Sequence, residues 1–202
     1  MSNISLKFDE QDMKRLNKAF RKSPDLAKKA CVAATNRAIA TANTELQRNI
    51  TQRYNMKKGN LSGGSAYKGE RSNNLIKVKK ANFGNPNASI NVRGSYLTLY
   101  RFISGKQPRR NKKGKMTGYV SVKVLKGGAK KMSRYNFVQT IKGGTQIAQR
   151  HSGSRQISRV LKTISVAHMA SHESVITKTQ EKGQEMLQKR INHELDRRFK
   201  NL

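Results

Sequence analysis

Residues 75–103 read LIKVKKANFGNPNASINVRGSYLTLYRFI, and the recurrence of their apolar residues decides the fold class. Ile76 and Val78 alternate with lysines, and Ala88, Ile90 and Val92 alternate with polar residues. A period of two belongs to a strand with one buried face. The run Tyr96-Leu97-Thr98-Leu99-Tyr100-Arg101-Phe102-Ile103 continues the pattern, with turn signals at Gly84-Asn85-Pro86 and Arg93-Gly94-Ser95 between the runs. This stretch predicts an antiparallel β-meander. Tyr96, Tyr100 and Phe102 then share one strand face, where they read as core more readily than as a base-stacking platform.

Before this stretch the period is 3.6. Asp9 to Arg21 places Met13, Leu16 and Phe20 at helical spacing, and Ser23-Pro24-Asp25 stops one helix and starts another. The second helix runs from Pro24 to about Arg53. Its apolar stripe is Val32, Thr35, Ile39, Ala42, Leu46 and Ile50, and a second face of Ala30, Ala34 and Ala38 admits a close helical neighbour. Cys31 within it reads as a small buried thiol. Asn55 to Asn74, with Gly59, Gly63, Gly64 and Gly69, reads as a loop.

After residue 103 comes SGKQPRRNKKGKMTG, too polar to bury a core and expected to form a protruding arm. Strand patterns resume at Tyr119–Val124, Tyr135–Val138 and Gln146–Arg150, with a last run through Val160, Ile164 and Val166. Leu187, Ile191, Leu195 and Phe199 then stack at every fourth residue, predicting a helix from about Ser171 to Phe199 in which Gly183 is a weak point. The expectation is one α+β domain. It has N-terminal helices (one long) over 1–54, a Gly/Ser/Asn-rich loop over 55–74, an antiparallel sheet over 75–167 with a basic arm at 104–118, and a C-terminal helix over 168–202.

Charge narrows the function. The 202 residues carry a formal charge of +32, yet from Arg71 to His172 there is no Asp or Glu and there are 22 Lys or Arg. One-signed charge opposes compaction and calls for a polyanionic partner. The candidate contacts are Arg109, Arg110, Lys112, Lys113 and Lys115 in the arm, with Lys130, Lys131, Arg150 and Arg155 beyond it. Such side chains bind phosphates without reading sequence. Catalysis is not expected: a carboxylate pair cannot exist inside the middle stretch, and no nucleophile elbow, Walker loop or dinucleotide fingerprint occurs. His168 and His172 are four apart and open to one helix face, but Glu173 follows them where a zincin has its glutamate between; no metal and no cofactor is expected. The start, MSNISLKFDEQD, predicts no signal peptide, and no apolar run is long enough for a membrane helix. A single cysteine suits synthesis in a reducing cytoplasm.

The order of several short segments resembles the phage minor tail protein Z family, the tail completion proteins of lambda-type long-tailed phages. These segments are Ala33-Ala34-Thr35-Asn36-Arg37-Ala38, Lys79-Lys80-Ala81 through Ile90-Asn91-Val92, the basic arm, Phe137-Val138-Gln139, Ile147-Ala148-Gln149-Arg150 leading to Gly153-Ser154-Arg155, and Ile164-Ser165-Val166. The resemblance spans about residues 25–200 and leaves the Gly-rich insert at 59–69 unassigned. It implies a virion protein at the head-proximal end of the tail that assists head–tail joining and holds the DNA end. The partners it implies are tail terminator, tail tube and genomic DNA, with the tape measure as a further candidate. A homo-oligomeric ring would use the terminal helices as subunit contacts, through Val32, Ile39, Leu46, Leu187, Ile191 and Leu195, because their acids complement the basic middle. The rival expectation is a free, sequence-nonspecific nucleic-acid-binding protein of ribosomal or nucleoid type.

Overall fold

The computed structural model describes residues 4, 6–61, 75–94, 96–105, 109–110, 112–113, 116–141, 144–152 and 156–199. In chain order, α1 spans Glu10–Lys22 and α2 Pro24–Arg53, followed by β1 (Ile76–Lys79), β2 (Ser89–Val92) and β3 (Leu97–Thr98). Then come β4 (Arg109–Arg110), β5 (Met116–Thr117), β6 (Ser121–Val122), β7 (Lys130–Lys131), β8 (Asn136–Ile141), β9 (Gly144–Arg150), β10 (Ile157–Val160) and β11 (Lys162–Thr163). Two helices close the chain, α3 (Val166–Ala170) and α4 (Glu173–Arg198). The class is α+β, with helices at both ends and antiparallel strands between them.

The residues cluster into two compact units. A helical unit comprises Met1–Asn49, Ile76–Val92 and Ala170–Leu202; a strand unit comprises Ile50–Leu75 and Arg93–Met169. The helical unit is built on the small-residue face of α2. Ala27, Ala30, Ala34 and Ala38 are fully buried in one cluster with Leu16 of α1 and Leu187, Ile191, Leu195 and Phe199 near the end of the chain. Cys31 belongs to the same cluster, and burial raises its thiol pKa, as expected of a structural cysteine. Gly183 does not interrupt α4. A methyl group there would lie 2.9 Å from Leu6 Cδ2 and 3.2 Å from Ala42 Cβ, so glycine is what lets α4 approach α2 at this turn. Nearby, buried Asn49 donates to Thr179 Oγ1 at 3.3 Å, and that hydroxyl donates to the Val175 carbonyl at 2.7 Å.

A polar seam runs beside this apolar row. Lys7 N–H donates to Gln184 Oε1 at 3.1 Å while Gln184 Nε2 returns a bond to the Lys7 carbonyl. Gln188 donates to Asp9 at 3.0 Å, and Arg15 donates to Asn192 and to Asp196, the latter at 2.5 Å. Positions 184, 188, 192 and 196 form one face of α4, and partners ascending from 7 to 15 make the N-terminal segment parallel to it. Asp9 also caps α1 by accepting from Asp12 N–H at 2.7 Å. The β1–β2 hairpin pairs Ile76 with Val92 and Val78 with Ile90, as the alternation predicts. Asn36 of α2 clamps it from both sides, donating to the Ala81 carbonyl at 2.9 Å and accepting from Ala81 N–H at 2.8 Å.

The strand unit departs from a single meander. Among the described residues only β8, β9 and β10 form a three-stranded sheet; β3–β11, β4–β5 and β6–β7 are antiparallel pairs, as is β1–β2 in the helical unit. The strand expected at Tyr96–Ile103 lasts two residues and tightens into a 3-10 turn at Leu99–Phe102. Its three aromatics therefore do not share a face: Phe102 is fully buried, Tyr100 half-buried and Tyr96 70% exposed. One core cluster of this unit comprises Leu99, Val120, Val122 and Ile147 with Tyr100, Ile103, Val124, Met132, Val138 and Leu161 packed around it. The strand-like run at its end becomes α3 from Val166, and α3 stops before Ser171.

Asp12 is a weak point in the helical unit. It is 3% exposed, its Oδ2 has no hydrogen-bond partner, and burial first and the Asp9 charge second raise its pKa above the usual 3.8. A raised carboxylate pKa means the folded state holds the proton more tightly, so the ionised group costs stability above that pKa. Relative to Asp12→Asn, the wild type gains stability as pH falls from 7, and the gain is complete below 3.8. Urea titrations at several pH values check this; a difference that does not change with pH contradicts it.

Candidate polyanion-binding surface

The division of charge along the sequence carries over, nearly intact, to the two units. The strand unit holds 23 of the 43 Lys and Arg but one of the eleven acids, Glu70, which lies outside the described residues. Among the described residues of that unit there is no carboxylate at all. Lys77, Lys79 and Lys80, part of the acid-free stretch in sequence, fold into the helical unit with β1.

The helical unit handles its cations differently. Arg15 pairs with Asp196, Arg48 with Glu45 at 3.8 Å, Lys182 with Glu185 at 2.6 Å, and Arg197 and Arg198 both with Glu194. Lys182 holds the Glu185 carboxyl below its ordinary range. These acids are engaged locally, and with 20 basic residues against ten acidic ones the helical unit is itself cationic. Glu45, Glu185, Glu194 and Asp196 thus have cationic partners within their own unit.

In the strand unit, rings, hydroxyls and amides stand where acids would be. The Arg150 guanidinium lies 4.3 Å from the Phe137 ring centroid, Arg134 lies 5.2 Å from that of Tyr135, and Arg53 lies 5.9 Å from that of Tyr54. Arg134 also donates to the Tyr135 hydroxyl at 3.1 Å, and Arg159 donates to Gln149 at 2.8 Å. The Tyr135 and Ser152 hydroxyls are 3.2 Å apart; this bond, with Arg134, lowers the Tyr135 phenol pKa. Such partners orient a guanidinium without cancelling its charge.

Of the expected contacts, Arg109 and Arg110 form β4, whose backbone pairs with Met116 and Thr117 of β5. Lys112 and Lys113 sit exposed in the turn between, whereas Lys115 and Arg155 lie outside the described residues. Lys130 and Lys131 are exposed on β7, and Arg150 ends β9 half-buried against its ring. The seven described ones all belong to the strand unit. The six expected subunit contacts fare differently. Ile39, Leu46, Leu187, Ile191 and Leu195 are buried within the protomer, each at most 2% exposed, and only Val32 keeps partial exposure. An apolar row at helical spacing looks the same whether it faces its own core or a neighbour, and here the core claims it. Arg134, Tyr135 and Tyr119 were missed because aromatics beside arginines carry no distinctive spacing.

His168 and His172 do not share a helix. The chain breaks after Ala170, and His172 becomes the N-cap of α4, its Nδ1 accepting from Ser174 N–H at 3.3 Å. Among the described residues no group of three or more His, Cys, Asp or Glu is placed to hold a metal, and no helix is long and apolar enough to cross a membrane.

Fold and surface together define a small cationic binding or assembly protein. Residues 7–202 match the family of prophage minor tail protein Z (GPZ), and the chain belongs to that family. Its role is accordingly structural, in a phage tail. No curated protein and no solved structure matches the chain.

A unit with 23 basic residues and one acid repels itself, and salt relieves that repulsion. Raising NaCl from about 0.01 M to about 1 M shortens the Debye length from about 30 Å to about 3 Å and is expected to raise the thermal midpoint of the strand unit. Differential scanning calorimetry measures it, and a midpoint that falls with salt contradicts the charge account.

Proposed function

We propose that this chain completes the tail at its head-proximal end, where copies form a ring that helps join the filled head and holds the genome end through the strand unit. The observation that carries this reading is the concentration of carboxylates in the helical unit, which holds ten of the eleven. DNA passing a tail entrance presents a dense row of phosphates, and a surface whose cations have no internal acids binds it at little desolvation cost. A low apolar content of 35% suits a protein further stabilised by neighbours such as tail terminator and tail tube. Because five of the six apolar positions are spent inside the protomer, the ring contact of this reading falls to other exposed residues, with Val32 as the remaining candidate. A free nucleic-acid-binding protein would share the charge pattern, and incorporation into particles separates the two.

The test neutralises Arg109, Arg110, Lys112, Lys113 and Lys115 together by glutamine substitution. The variant is expected to enter tails at the wild-type level while infectious titre and DNA retention drop about tenfold or more. Normal titre and retention would remove the arm from the mechanism, and absence of the wild-type chain from particles would remove the tail assignment.

A further inference from the structure

Beyond general charge, one corner of the strand unit gathers rings and guanidiniums in a regular arrangement. The β8–β9 register pairs Asn136 with Gln149, which brings the preceding Tyr135 opposite Arg150, and Arg150 N–H donates to the Tyr135 carbonyl at 3.1 Å. Tyr135 and Phe137 are two residues apart and so lie on one face; Arg150 shares that face and stacks diagonally on Phe137. At the same end, the Arg134 guanidinium lies over the Tyr135 ring and donates to its hydroxyl, and the Ser152 hydroxyl bonds the same phenol.

The β6–β7 pair adds a further ring. Ser121 pairs with Lys131, and Met132 N–H donates to the Val120 carbonyl at 2.8 Å, so continuing the register by one residue sets Tyr119 opposite Ser133, next to Arg134. Tyr119 is 54% exposed. Gly118 before it has φ +81°, a left-handed conformation suited to glycine, which sets the direction in which the chain enters at Tyr119. Among the described residues, the two arginines of this corner have no carboxylate in their unit.

We infer that Tyr119, Arg134, Tyr135, Arg150 and Ser152 form a binding site for single-stranded nucleic acid. Tyr119 offers a face for one unpaired base, Arg134 binds the adjoining phosphate, and Arg150, held flat by Phe137, continues the stacking surface. The strand preference follows from geometry. A tyrosine ring stacks on a base only when that base has left its duplex, whereas lysines alone take either form. The inference rests on the nucleic-acid reading above and sharpens it to a strand form and a location.

The test uses the full chain and two labelled probes, an oligothymidylate of about 12 nucleotides and a duplex of the same length, in fluorescence anisotropy titrations. Wild type is expected to prefer the single strand. Tyr119→Ser should weaken the single-strand probe about tenfold and the duplex by less than about twofold, while Tyr119→Phe, which keeps the ring, should bind as wild type. Arg134→Gln should weaken both probes and reduce the salt slope by about one. The site is overturned if wild type binds but Tyr119→Ser and Arg134→Gln match it on both probes, or if Tyr119→Phe loses as much as Tyr119→Ser. If wild type binds neither probe, the nucleic-acid reading fails and this site with it.

Discussion

The placement of ten carboxylates in the helical unit is the constraint on which the rest of this molecule depends. Acids there close ion pairs along α4 and across to α1, so the helices are electrostatically served from within. The strand unit folds with 23 basic residues and one acid. It does so with guanidiniums laid on aromatic rings and held by amides and hydroxyls. Those partners contribute at most about 1 kcal/mol each at exposed sites, too little to neutralise the unit. Its net charge remains open to an external anion.

The helical unit solves a different problem, that of close approach. Alanines on α2 and Gly183 on α4 remove the side chains that would hold two helices apart, and the row Leu187, Ile191, Leu195 fills the groove this creates. The seam at 184, 188, 192 and 196 then fixes the N-terminal segment along α4 by directional bonds. The result is a firm body in which the apolar row is already used. A ring of such protomers would have to associate through other faces.

Much of this was legible in the sequence. The period of 3.6 with Ser23-Pro24-Asp25 placed α2 from Pro24, and the alanine face announced a close helical partner. The alternation at 76–79 and 88–92 found the first hairpin and its facing residues. What failed did so for physical reasons. Tyr96–Ile103 alternates like a strand, but its residues wrap the core of the strand unit as a 3-10 turn, and local pattern does not reveal that choice. The non-local pair β3–β11, the Asn36 clamp on Ala81 and the polar seam each join residues far apart in the chain, so no window of sequence contains them. Charge was read as one run from 71 to 172, whereas folding assigns β1 and β2 to the helices and moves the boundary. The stacked arginines were invisible because their partners are rings rather than acids.

On the proposed reading, the helical unit would pack among tail proteins and the cationic strand unit would meet the genome. The most direct test of that division is hydrogen exchange on the full chain with and without single-stranded DNA. Protection gained mainly within residues 93–169, with α1 and α4 unchanged, is the result this account predicts. Protection concentrated in the helices, or spread evenly over both units, would contradict it.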